Sequence, residues 1–174
     1  MAIERSKRPV APARLARTAG SLLDASPLCA IASVDGRGGA HVNTAYFAWS
    51  PDFEVVWLSE PRARHSRNVR ANASVAIAVY DSRQGWGRPD RGIQLFGSAR
   101  ELNGKAVGEA EALYGARFRR YRPDKLSEYR FYRFRPRRLK LFDERGLGAG
   151  RFVTARVTRG GLVWERTEIY RAAG

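Results

Sequence analysis

The chain has one cysteine, one methionine and two histidines in 174 residues. A lone Cys29 makes no intramolecular disulfide and leaves no cysteine cluster for zinc. Within the apolar run Leu28-Cys29-Ala30-Ile31 it reads as a small core residue rather than a nucleophile. His41 and His65 stand apart, without a second metal-ligand type at helical spacing, so no metal site is expected. Long apolar runs are missing as well, and nothing approaches the ~18 residues of a membrane span. Met1 to Arg17 is broken by Arg5, Lys7, Arg8, Arg14 and Arg17, and no apolar signal-peptide core follows, which points to the cytoplasm. Acids are scarce: 17 against 32 basic residues, a net charge of +15.

What remains suits one ordinary domain with a real core, since 44% of the chain is apolar and 11% aromatic. The charge is uneven. Residues 117–140 hold eleven Arg or Lys against Asp124 and Glu128, whereas residues 31–104 hold nine basic and seven acidic side chains. The basic stretch interleaves Phe118, Tyr121, Tyr129, Phe131, Tyr132 and Phe134. Arginine with stacking aromatics suits single-stranded nucleic acid. The same text describes a strand with aromatics inward and arginines in water, and that solvated basic face is the preferred reading.

Residues 1–12 are polar and punctuated by Pro9 and Pro12, which predicts a flexible N-terminal arm. The single domain then runs over 13–174. Ala13 to Ala25 carries Leu15, Ala19, Leu22 and Leu23 on one helical stripe, with Pro27 as the stop. Leu28 to Val34 is a strand ending in the turn Asp35-Gly36-Arg37-Gly38-Gly39. Strands Ala40 to Trp49 and Phe53 to Ser59 flank Ser50-Pro51-Asp52. A short helix over 62–71 ends near Asn72, and Ser74 to Tyr80 is the next strand. Asp81 to Asp90 is a loop in which Trp86 could cover a ligand. Gly92 to Leu102 is a strand with Gly97 at a bulge or close backbone approach. Gly104 to Phe118 is helical. Late strands are expected over Tyr129 to Phe134, Arg138 to Phe142, Arg151 to Thr158 and Leu162 to Tyr170, the last after the hairpin signal Arg159-Gly160-Gly161. Seven or eight short strands with few helices indicate a closed or nearly closed antiparallel barrel. No Gly-x-Gly-x-x-Gly opens a helix after a strand, so no Rossmann site is expected.

Five segments carry a family resemblance: Ala-Ile-Ala-Ser-Val-Asp (30–35), Val-Val-Trp-Leu-Ser (55–59), Arg-His-Ser-Arg-Asn-Val-Arg-Ala-Asn (64–72), Val-Ala-Ile-Ala-Val (75–79) and Ile-Gln-Leu-Phe-Gly-Ser-Ala-Arg (93–100). In order and spacing, residues 28–102 resemble the pyridoxamine 5'-phosphate oxidase-like, FMN-binding split-barrel family. The resemblance implies a mainly β split barrel, antiparallel and Greek-key-like, with a few flanking helices. It also implies a homodimer with FMN at the subunit interface and a small organic substrate. By position, it implies a cofactor-binding set of Asn43, Thr44 and Ala45 beside the flavin ring, Leu58 and Ser59 at the end of the third strand, Arg64, His65 and Arg67 around the phosphate, and an inward-facing Gln94. Arg151 and Arg156 fall where some members contact substrate or flavin.

These residue types suit that chemistry. A phosphate dianion needs fixed donors, which guanidinium groups and a helix N-terminus supply. A flavin ring needs an apolar slot with a few donors. The chain departs from the family at three positions: Ala48 where some members have a cation, Ala63 where many have Ser, and His65 where many have Lys. No residue declares itself an essential acid or base, so catalytic residues are left unassigned. The implied activity is flavin-dependent oxidoreduction. The alternatives are a deazaflavin-dependent reductase, a split barrel that binds a small ligand with no flavin and no catalysis, and a nucleic-acid-binding barrel.

Overall fold

The structure is a computed structural model that describes residues 2–171. Among them are nine strands: β1 Ala2–Ser6, β2 Leu28–Val34, β3 Ala40–Trp49, β4 Val55–Ser59, β5 Ser74–Tyr80, β6 Arg91–Glu101, β7 Arg130–Asp143, β8 Arg151–Thr158 and β9 Gly161–Arg171. Four α-helices accompany them: α1 Pro12–Asp24, α2 Arg64–Ala71, α3 Lys105–Arg117 and the single turn α4 Glu144–Leu147. The strands bond in the order β1-β9-β8-β7-β4-β3-β2-β5-β6, and a further β7–β6 pairing closes β2 to β7 into a six-stranded antiparallel barrel. The mainly β fold class expected from the sequence is the one observed.

The described chain packs as two compact units, and β5, β6 and β7 each supply residues to both. The unit that matters here comprises residues 27–77 and 96–136. Its β2 and β3 form a regular hairpin in register Leu28↔Tyr46 to Val34↔Ala40, closed by an Asp35 carboxylate that accepts from the Arg37 and Gly39 amides. β4 lies between β3 and the first half of β7, with Trp57 opposite both Phe47 and Tyr132. Trp57, Phe47, Tyr132 and Phe134 are fully buried, and the Trp57 and Tyr132 rings stack at 5.6 Å. A second apolar layer lies under α3, where Ala48, Val56, Leu102, Ala110, Tyr114 and Phe131 pack together. Both faces of β7 are therefore buried at Phe131 and Tyr132.

The other unit holds the remaining described residues: those up to Ser26, Ala78–Leu95, and Arg137 onward. α1 buries Leu15, Ala19, Leu22 and Leu23 and packs against β9. The stripe read from the sequence is the buried face. β8 and β9 form a hairpin, with a register shift at Thr154/Ala155.

Two expectations are corrected. The flexible arm over 1–12 is in part a strand: β1 pairs antiparallel with β9 from Ala2↔Arg171 to Ser6↔Thr167, and Arg171 bonds Glu4 at 2.9 Å. Backbone pairing to a distant edge holds it, which no local apolar rhythm announces; Met1 itself, like residues 172–174, lies outside the described residues. Second, the expected strands at 129–134 and 138–142 are one strand, β7. Its residues Arg130 to Phe134 pair with β4 and Arg138 to Phe142 with β8, so Pro136, which has no N–H, sits where the pairing partner changes. The solvated basic face is observed on β7, where Phe131, Tyr132 and Phe134 are buried and Arg130, Arg135, Arg137 and Arg138 are exposed. Four of its basic side chains also meet carboxylates, Arg133 at Glu54 and Glu109, Arg135 at Glu54, Arg138 at Glu165 and Lys140 at Glu168.

Candidate functional site

In the unit of residues 27–77 and 96–136, a cavity of about 440 Å³ is lined by β3 residues Asn43 to Tyr46, by Leu58, Ser59, Glu60, Ala63 and His65, and by Tyr114, Leu126 and Tyr129. Three elements build it. β3 leaves the hairpin with Asn43 and Ala45 half-buried and Thr44 and Tyr46 exposed, the alternation of a strand covered on one side. β4 ends at Ser59, and the chain turns through Pro61 into α2. α3 contributes Tyr114, whose ring contacts Phe118, Tyr121 and Phe131.

The entry to α2 is polar and uncapped. Ala63 is its N-cap and offers no side-chain hydrogen bond, so the first amides of the helix keep their donors for something else. Ser59 Oγ is hydrogen-bonded to His65 Nε2. Ser66 Oγ lies 3.1 Å from Ser59 Oγ and 2.8 Å from the Glu60 carbonyl. Burial holds the His65 pKa below the ordinary 6.5, with a smaller push from His41 that Glu60 opposes. His41 and His65, far apart in sequence and read as unrelated, lie with ring centroids 6.2 Å apart and planes within 2° of parallel. The hairpin that carries His41 and the helix that carries His65 meet at this corner, also tied by Asn68 donating to Ser33 at 3.1 Å.

On the ring-sized side the walls are aromatic and amide. The Asn43 side-chain oxygen is buried and has no hydrogen-bond partner, a cost unless a bound group answers it. Burial is also the main cause that pushes the Tyr114 hydroxyl up to about 12, so it stays protonated and can only donate or accept as phenol. Cys29, 2% exposed, donates to the Ala45 carbonyl, and burial pushes its thiol up to about 12. It backs the β3 strand as a core residue and is no nucleophile.

Of the residues singled out from the sequence, Asn43, Thr44, Ala45, Leu58, Ser59 and His65 all line this one cavity. Arg64 and Arg67 do not. Arg64 Nη2 lies 3.5 Å from the Asp35 carboxylate, and Arg67 donates to the Arg62 carbonyl. Gln94 belongs to the other unit and is exposed between buried Ile93 and Leu95, so the inward orientation expected for it is wrong; strand alternation gives that face to its neighbours. Ala48 is buried under α3 in the apolar layer, where a cation would have no partner. Trp86 is wholly exposed. The sequence reading missed Tyr46, Glu60, Tyr114, Leu126 and Tyr129. Tyr114 was legible only as one more apolar position of a helix, because its cavity-facing role depends on where α3 lands.

Comparisons with known proteins give the family and the fold. The sequence profile of the pyridoxamine 5'-phosphate oxidase family matches residues 16–143. No curated protein matches the chain. Among solved structures, the chain is similar to HutZ, the heme storage protein of Vibrio cholerae, at 21% identity and a TM-score of 0.60, covering 68% of this chain and 87% of that one. It is similar to a heme-binding protein of Mycobacterium smegmatis at 14% identity and a TM-score of 0.58, covering 97% and 91%. It is also similar to a Clostridium acetobutylicum protein of the pyridoxine-phosphate oxidase family, related to general stress protein 26, at 12% identity and a TM-score of 0.63, covering 83% and 95%. Among the described residues, no helix is long and apolar enough to cross a membrane.

Proposed function

Because this chain belongs to the pyridoxamine 5'-phosphate oxidase family, we propose that it binds FMN in the cavity beside β3 and acts as a flavin-dependent oxidoreductase on a small organic substrate. The observation that supports this reading most is the gathering of six separately expected residues on one cavity whose two ends differ in chemistry. Ser59, His65 and the uncapped N-terminus of α2 suit a phosphate group. The β3 backbone, Leu58 and the tyrosines suit a planar ring, and the orphaned Asn43 oxygen is an acceptor for a ring N–H. The chemistry supplied by bound FMN is hydride or electron transfer at its N5. The protein's own residues bind, orient and shield; none is assigned as acid or base.

A second copy of the chain completes the site in this reading. Leu28, Val42 and Tyr46 are 41%, 63% and 56% exposed on the β2–β3 hairpin that also carries Asn43, Thr44 and Ala45. Such apolar exposure beside a ligand cavity suits a homodimer interface.

A porphyrin is the second reading, favoured by the likeness to two heme proteins and by the histidine and tyrosines around the cavity. Absorption spectra of the purified protein, and of the same protein after incubation with FMN and with hemin, separate the readings. Oxidised-flavin bands with stoichiometric FMN retention support the first. An intense Soret band with no flavin uptake replaces it with the second, and the shifted band of a deazaflavin replaces FMN with that cofactor. A protein that takes up none of them overturns the enzyme reading and leaves a non-catalytic binding barrel.

A further inference from the structure

The sequence expectation surrounded the phosphate with fixed positive charge from Arg64 and Arg67. Among the described residues, no arginine or lysine lines the cavity, and His65 is its one basic side chain. Arg64 is held by Asp35 and Arg67 by the Arg62 carbonyl. The affinity of this end for an anion therefore depends on a group that titrates in the physiological range.

We propose that His65 is a proton-gated donor, so that binding a phosphate group in this cavity takes up one proton. The inference rests on the reading of the α2 entry as an anion site. It comes from the hydrogen bonds. Ser59 Oγ faces three neighbours: His65 Nε2, Ser66 Oγ and the cavity. Ser66 has one hydroxyl proton and three oxygens within reach, those of Ser59, the Glu60 carbonyl and the Tyr132 hydroxyl. With a neutral His65 whose hydrogen is on Nδ1, the Ser59 hydroxyl spends its single proton on Nε2 and presents only lone pairs to an anion. A proton taken from solvent onto Nε2 reverses that bond. The ring now donates to Ser59 Oγ, and the Ser59 O–H turns into the cavity. One proton thus yields both a positive charge and a second donor at the place where a phosphate oxygen sits, and no other bond changes.

The surroundings limit the uptake to one proton. On the elements around His65 the titratable and charged groups are His41 and Tyr46 on β3, Glu60 and Arg62 in the turn before α2, Arg64, Arg67 and Arg70 on α2, Asp35 and Arg37 at the hairpin tip, Tyr132 on β7 beside Ser66, and Tyr114 and Tyr129 across the cavity. Arg70 is engaged by Glu101. Asp35 is engaged by Arg64. Tyr114 stays protonated. The parallel His41 ring resists a second positive charge on the pair. Without a ligand, burial and His41 lower the proton affinity of His65 against the pull of Glu60. An anion supplies the opposite charge and raises its proton affinity. By linkage, the anion binds more tightly as pH falls, by up to tenfold per pH unit while one proton is taken up.

The test follows both histidine rings by NMR from acid to alkaline pH, with and without saturating inorganic phosphate, with His41→Gln to assign them. Flavin affinities are measured over the same range. The expected result is an Nδ1–H tautomer of free His65, a midpoint below the ordinary value, and an upward shift of that midpoint with phosphate. FMN binding then weakens up to tenfold per pH unit above the midpoint, while riboflavin, which lacks the phosphate, is flat. His65→Lys binds FMN tightly and His65→Gln weakly, both without that slope; the ligand phosphate's own ionisation near ~6 is common to all three proteins. A His65 titration unmoved by phosphate, or a free ring already carrying its hydrogen on Nε2, overturns the inference. Phosphate that shifts His65 in a protein that binds no flavin sustains it and rejects the FMN reading alone.

Discussion

Arg64 Nη2 lies 3.5 Å from Asp35 Oδ2, an ion pair between the first residue of α2 and the tip of the β2–β3 hairpin. The arginine is 54% exposed there, so the pair is worth little to stability, but it sets where the guanidinium spends its time. An arginine expected to grip a phosphate is instead engaged by a carboxylate that also accepts from two turn amides.

Asp35→Asn should release Arg64 without breaking the turn, because asparagine accepts the same amide bonds. The expected outcome is FMN affinity about threefold tighter, because a surface ion pair no longer competes for the guanidinium. Riboflavin affinity should be unchanged. Calorimetric titration of both flavins against both proteins checks it, and an equal gain for riboflavin assigns the effect elsewhere.

Alkaline pH should destabilise the fold through two tyrosines. Burial pushes Tyr114 and Tyr121 from 10.0 up to about 12, so the folded chain holds protons that the unfolded chain has released between those values. Stability is therefore intact below about 10 and falls as pH rises toward 12. In denaturant titrations across that window, Tyr114→Phe should recover about 1 kcal/mol of the loss. A Tyr114→Phe profile parallel to that of the parent protein refutes the assignment.

Gly97 is a position where only glycine fits. A Cβ there would stand 2.0 Å from the Arg135 carbonyl oxygen and 2.8 Å from Pro136 Cα, both backbone atoms that cannot turn aside. Gly97→Ala should cost about 3 kcal/mol or more. Gly92→Ala meets the end of the Phe142 ring at 2.2 Å, a side chain that can rotate, and should cost less. Urea midpoints of the two variants should fall in that order.

Val42 is 63% exposed on β3 and contributes nothing to the core, so Val42→Asp should fold normally. If a second copy covers the hairpin, this buried charge without a partner costs about 3 kcal/mol or more and yields monomers. Sedimentation velocity reads the change, and FMN retention should fall with it. Val42→Asp that stays dimeric removes this hairpin from the interface.

Much of the fold was legible from local rhythm. β2, β3, β5 and β8 begin and end where their alternation and turn residues place them, and the α1 stripe is the buried stripe. Elements held by distant partners were not. Residues Ala2–Ser6 are short and charged, and they become a strand only because β9 offers an edge. Pro136 reads as a break in any sequence window, yet β7 runs through it because its hydrogen-bonding partner changes there. The candidate site divides the same way. Asn43, Ser59 and His65 were recognisable by residue type and position, whereas Tyr114 joined them only through the packing of α3.

The scarcity noted first, one cysteine and two histidines, belongs to the sequence alone and excluded an intramolecular disulfide without any fold. Spacing also pointed to a closed or nearly closed antiparallel barrel, because a strand's alternation and a turn's glycines act over a few residues; that it is a split barrel was implied by the family resemblance. Tertiary structure decided which charges act. It paired Arg133, Arg135 and Arg138 of β7 with glutamates, engaged Arg64 with Asp35, and set two histidines 24 positions apart in the chain side by side. Electrostatic interaction depends on distance through space and on burial, and neither is written along the chain.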